Sequence, residues 1–166
     1  MKICIVGAGS IGGLLAVKFS QAGAEVTVVD RGLHLEAMQS RGLSLRMADG
    51  TESTANDLRV TGKISQAAKA DLVILGVKAY QIADVAPDLP SLYGPDTSVL
   101  TVQNGIPWWY FERHGGELDS TRLQTLDPEG LIAQHIPAER ILGCVAYPAC
   151  EMVAPGMIHH IEGNRF

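Results

Sequence analysis

The segment Gly7-Ala8-Gly9-Ser10-Ile11-Gly12 leaves the fewest folds open to this chain. It has the spacing G-x-G-x-x-G, and its neighbours sharpen the signal. The apolar run Ile3 to Val6 precedes it, and a helical pattern through Leu14, Leu15, Val17, Lys18 and Phe19 follows as far as Gly23. The β-branched run Val26-Thr27-Val28-Val29 then closes a β-α-β unit of about 30 residues. In such a unit the first glycine makes the tight turn, the second lets backbone approach a pyrophosphate, and the third lets helix and strand pack closely. The helix N-terminus offers unpaired N–H groups to phosphates. Gly7, Ala8, Gly9, Ser10, Ile11 and Gly12 are therefore read as dinucleotide-binding, against the plainer alternative of a glycine-rich turn with no ligand.

The second strand ends in Asp30, 18 residues after Gly12, and Arg31 follows. A carboxylate there hydrogen-bonds a ribose 2′-hydroxyl, whereas an arginine accommodates a 2′-phosphate. The sequence offers both, so NADPH is expected through Arg31 and NADH stays open through Asp30. Further on, Leu43, Leu45 and Met47 alternate with polar residues before Asp49-Gly50, which predicts an antiparallel ribbon closed by a two-residue turn. Two unbroken apolar runs, Leu72 to Val77 and Val99 to Val102, read as parallel strands buried on both faces. Lys78 and Asn104 follow these runs at their C-terminal ends, where open α/β sheets bind ligands. The expected fold is α/β: a doubly wound, mainly parallel sheet with an antiparallel ribbon, one domain over 1–166, carrying a polar insertion at about 114–140.

Composition narrows the classes further. A net charge of −5 leaves no broad basic surface for a polynucleotide, and no run reaches the length of a membrane span. Gly7, Gly9, Gly12 and Gly13 interrupt what would otherwise resemble a signal peptide. Three cysteines, Cys4, Cys144 and Cys150, are an odd number without C-x-x-C spacing, which predicts a reducing compartment, the cytoplasm, and no metal. His159 and His160, adjacent on a strand-like run, point to opposite faces. The sequence stops at Phe166, five residues after that run, so a piece of a longer protein is expected.

Taken in order, Gly7 to Gly13, Asp30-Arg31, Val77-Lys78-Ala79-Tyr80-Gln81, Gln103-Asn104-Gly105-Ile106 and Pro155-Gly156 resemble the ketopantoate reductases, or 2-dehydropantoate 2-reductases, across the N-terminal half of that family. The resemblance implies a Rossmann-type domain followed by a helical C-terminal domain, with NADPH in the cleft between them. It implies hydride transfer to a 2-oxo acid, 2-ketopantoate giving pantoate for pantothenate and coenzyme A. On this resemblance the glycine turn holds pyrophosphate and Arg31 the 2′-phosphate. Lys78 and Asn104 lie on the ribose and nicotinamide side, Asn104 also faces substrate, and Ala149 borders the nicotinamide. The family's general-acid lysine belongs to the helical domain and is expected beyond Phe166, so residues 1–166 alone are not expected to turn over. A homodimer is compatible with this reading.

Trp108-Trp109-Tyr110-Phe111 departs from the family pattern; the run either selects a bulkier oxo acid or packs as core. Tyr147 lacks the lysine of a Y-x-x-x-K pair because residue 151 is Glu151, and it reads as core or cleft lining. No G-x-S-x-G elbow supports hydrolysis. Two other classes remain: a dinucleotide-sensing domain without chemistry, and an S-adenosylmethionine methyltransferase, against which the spacing and Arg31 argue.

Overall fold

The computed structural model describes every residue from 1 to 166. In chain order the elements are β1 (Lys2–Val6), α1 (Ser10–Gln21), β2 (Glu25–Val29), α2 (Gly32–Arg41), β3 (Leu43–Arg46), β4 (Glu52–Ala55) and β5 (Arg59–Thr61). There follow β6 (Ala70–Leu75), α3 (Ile82–Val85), β7 (Tyr93–Thr101), α4 (Leu131–His135), β8 (Ile141–Gly143), β9 (Ala149–Ala154) and β10 (Met157–Glu162). None of the helices is long and apolar enough to cross a membrane.

β1 sits inside its sheet because both of its faces are apolar. Ile3 and Ile5 enter one core, while Cys4 and Val6 enter the other. Six strands pair wholly in parallel in the order β5-β2-β1-β6-β7-β8. The winding runs from β1 outward through β2 to β5, then returns to β6 on the far side of β1. The direction of winding thus reverses between β1 and β6, and open α/β sheets bind ligands outside the C-terminal strand ends at such a point. This is the Rossmann-type sheet expected from the sequence.

The expected ribbon forms as β3 and β4, but it is half of a second, four-stranded sheet, β4-β3-β10-β9, in which β3 and β10 pair in parallel. The turn differs from expectation. Gly50 N–H donates to Met47 O and Met47 N–H to Thr51 O, so Ala48 and Asp49 are the central residues and Gly50 follows at φ +83°. One further residue lets an ordinary turn fit between twisted strands. α1 lies between the two sheets, and Leu14, Val17, Leu43, Leu45 and Ile158 close the core there.

The opposite face of the parallel sheet is covered by Ile82, Leu89, Leu92, Trp108, Ile132 and Ile136. The polar stretch at about 114–140 lies in the connection from β7 to β8. Buried Asp127 anchors it, its carboxylate accepting from the N–H groups of Ile132 and Ala133 at 3.0 Å each. Of the aromatic run, Trp108 is buried in this core and the Trp109 ring lies so close to Gly143 that a Cβ there would be 2.7 Å from it, while Tyr110 is exposed. The first two aromatics therefore pack the connection onto the sheet.

Candidate functional site

The glycine turn is built by close approach. Gly7 has φ +90°, and a Cβ on it would lie 2.8 Å from both the nitrogen and Cγ1 of Val77. A Cβ on Gly12 or on Gly76 would collide with the carbonyl oxygen of Gly7. Three glycines thus let α1 begin directly over the ends of β1 and β6. Gly9 is different, since a Cβ there would meet nothing within 4 Å. It caps α1 without a side chain, and the first turn of the helix carries no acidic residue. The open side of Gly9 therefore faces uncompensated N–H groups and the positive end of a 12-residue helix, a surface that fits a phosphate.

Asp30 is turned inward. Its Oδ2 accepts from Ala8 N–H and its Oδ1 from Arg31 N–H, each at 2.7 Å. The Arg31 guanidinium, exposed at the start of α2, forms no hydrogen bond or ion pair within the chain. Beside them His34 is buried between two backbone groups, with Nε2 2.9 Å from Ala8 O and Nδ1 2.8 Å from Gly156 nitrogen.

Lys78 is exposed just past the end of β6, and its backbone N–H donates to Gln81 Oε1. The Gln103 amide donates to Leu75 O and Val77 O at 2.6 and 2.7 Å, which ties the ends of β6 and β7 together. Gln103 Oε1 is buried without a partner beside a cavity of about 40 Å³ lined by Ile82, Asn104, Trp108 and Ile132. Asn104 grips the backbone of Ala146 at both ends, its Nδ2 donating to Ala146 O at 2.9 Å and its Oδ1 accepting from Ala146 N–H at 3.0 Å. Ala149, half-buried, opens β9 three residues later. Tyr147 is 68% exposed, so it is not core.

Arg31, the glycine turn, Lys78 and Asn104 stand at the C-terminal ends of β2, β1, β6 and β7, four neighbouring strands, and so form one row along a single sheet edge. The sequence reading found these four and missed three supports. Gly76 was visible as a glycine interrupting an apolar run before Lys78. Gln103 adjoins Asn104, where nothing in the sequence marks an amide that ties two strand ends, and His34, in a short helix between two leucines, carries no signal.

Thiol chemistry has little support here. Burial pushes Cys4 up to about 12, Cys150 to about 11, and Cys144 upward as well, so none is a ready thiolate. His159 faces Glu151 at 3.2 Å, whereas His160 turns the other way to the carbonyl of Gly163.

The sequence profile described as Ketopantoate reductase PanE/ApbA matches residues 3–166. A 2-dehydropantoate 2-reductase from Mesorhizobium japonicum is 48% identical over 167 residues, covering 100% of this chain and 51% of that protein. A Ralstonia solanacearum crystal structure, provisionally assigned as a ketopantoate reductase, superposes with TM-score 0.89 at 44% identity over 98% of this chain and 49% of its own. The ternary structure of D-mandelate dehydrogenase with NADH and anilino(oxo)acetate superposes with TM-score 0.75 at 28% identity, over 96% of this chain and 45% of its own. The chain thus spans about half the length of the relatives it matches.

Proposed function

The chain belongs to the ketopantoate reductase PanE/ApbA family, and from that premise we propose that residues 1–166 hold the cofactor for NADPH-dependent reduction of a 2-oxo acid, 2-ketopantoate to pantoate before others. The observation that carries this reading is the row of groups at one sheet edge, ending in an arginine with no partner of its own. Arg31 would hold the 2′-phosphate, and the turn at Gly7, Ala8, Gly9, Ser10, Ile11 and Gly12 the pyrophosphate. Lys78 and Asn104 would meet the ribose and nicotinamide side, and Ala149 would border the ring. The bound nicotinamide supplies a hydride, while the protein orients it and stabilises the charge developing on the carbonyl oxygen.

NADPH is favoured over NADH because Asp30 is turned inward to the N–H groups of Ala8 and Arg31, whereas the Arg31 guanidinium is exposed and has no partner in the chain. Asn104 keeps one N–H and one lone pair beyond its grip on Ala146, enough to meet an oxo acid. A general-acid lysine would come from the half of the relatives that has no counterpart within residues 1–166, a helical partner domain in a cytoplasmic enzyme, itself open to dimerisation.

Calorimetric titration of the chain with NADPH and with NADH tests this. Tenfold tighter NADPH binding, about 1.4 kcal/mol, is expected. A preference for NADH would put Asp30 in charge and favour a dinucleotide-sensing role, and binding of neither cofactor by the folded chain would overturn the reading.

A further inference from the structure

We propose that His34 is a positioning residue of the dinucleotide site, one that aims the Gly9 N–H outward and fixes the glycine turn relative to Arg31. The proposal rests on the reading of the turn and Arg31 given above. The backbone N–H of Gly156 can only donate, so Nδ1 of His34 accepts it, the ring carries its proton on Nε2, and Nε2–H donates to Ala8 O. The C=O and N–H of a trans peptide point in opposite directions. Anchoring Ala8 O on the His34 ring therefore turns the Gly9 N–H away from that ring, and this N–H has no backbone acceptor within the chain. Asp30 holds the preceding peptide through Ala8 N–H, so the turn is clamped on both sides of Ala8.

The same clamp sets a spacing. His34 lies in the first turn of α2, whose N-cap is Arg31, and Asp30 also accepts from Arg31 N–H. The two candidate phosphate sites are thus referenced to one another through Asp30 and His34. The second tie of His34, to Gly156, reaches the β9–β10 turn, where Gly156 sits at φ +75° and accepts from Ser44 N–H. A ligand that engages both phosphate sites depends on their spacing, whereas a fragment that engages one does not.

The test uses the chain with His34→Asn and His34→Gln. Asparagine keeps an acceptor for Gly156 but falls short of Ala8, whereas glutamine carries its amide N–H out to the position of Nε2. Affinities for NADPH, for pyrophosphate and for adenosine 2′-phosphate are measured by calorimetry or competition, with melting temperature recorded for each variant. His34→Asn is expected to weaken NADPH and pyrophosphate by about tenfold, the scale of one misdirected hydrogen bond to a charged oxygen, while adenosine 2′-phosphate stays within about threefold. His34→Gln is expected to restore most of the NADPH affinity. Unchanged NADPH binding in His34→Asn, or equal losses for all three ligands, overturns the positioning role. A wild-type chain that binds neither NADPH nor NADH overturns the reading beneath it, and the proposal with it.

Discussion

Asp30 and Arg31 are neighbours with divided tasks, the carboxylate spent on two backbone N–H groups and the guanidinium left free. Arg31→Ala is therefore expected to cost about 1.5 to 3 kcal/mol of NADPH affinity and much less with NADH; equal losses in calorimetry would remove Arg31 from the 2′-phosphate. Cys4 carries a second consequence at this scale. Burial pushes its thiol from the ordinary value of about 9 up to about 12. The unfolded state gives up its proton first, so this contribution is intact below the unfolded value and drains away as pH rises toward 12. By pH 10 the loss is about 1.4 kcal/mol. Denaturant titrations at pH 8 and 10 are expected to show that fall, with a smaller one in Cys4→Ala. Arg31 was legible as one residue of a known spacing, but the division of labour was not, because the direction of a carboxylate depends on which N–H groups tertiary structure brings to it.

Within the strand-turn-helix element, glycines of one motif have opposite tolerances. Gly9 faces open space, so Gly9→Val is expected to leave a folded domain that no longer binds dinucleotide, checked by melting temperature and calorimetry together. Gly12→Ala, and equally Gly76→Ala, would drive a methyl into the carbonyl of Gly7 and is expected to destabilise the fold by about 1 to 3 kcal/mol or more. The motif announced Gly7 and Gly12, and apolar runs announced β1, β2, β6 and β7, because burial on both faces leaves no polar residue to confuse the pattern. β9 was invisible for the opposite reason. Ala149 to Ala154 is mostly exposed and does not alternate, and it is a strand only because β10 pairs with it. The turn at Asp49 was legible in existence and not in geometry, since one bulged residue is a property of strand twist. α4 depends on a carboxylate just before it, and Asp127→Ala is expected to cost about 1 to 3 kcal/mol in chemical denaturation by leaving unpaired the buried N–H of Ile132 and the half-buried N–H of Ala133.

Taken whole, the molecule presents a candidate cofactor edge assembled from β2, β1, β6 and β7. The chain spans about half the length of its relatives. The expected outcome is binding without turnover: NADPH quenches the fluorescence of Trp108 or Trp109, while NADPH and ketopantoate together show no loss of absorbance at the reduced nicotinamide band. Oxidation of NADPH by the chain alone would place a proton donor within residues 1–166. The parallel sheet was legible at this scale. The second sheet was not, because its central pairing joins residues 44–46 to 157–159 and leaves no local trace.

That pairing also governs the order in which the molecule can be made. Leu43 and Leu45 are fully buried only with Ile158 in place, and Ile158 is the side chain nearest Gly13 at the head of α1. More than a hundred residues must leave the ribosome between one edge of the pair and the other. During synthesis the parallel sheet can nucleate on local contacts, while β3 waits with its apolar face uncovered, the interval in which aggregation is most accessible. The turn that opens the sequence can thus gain its His34 tie to Gly156 only after the segment joining β9 to β10 has been made.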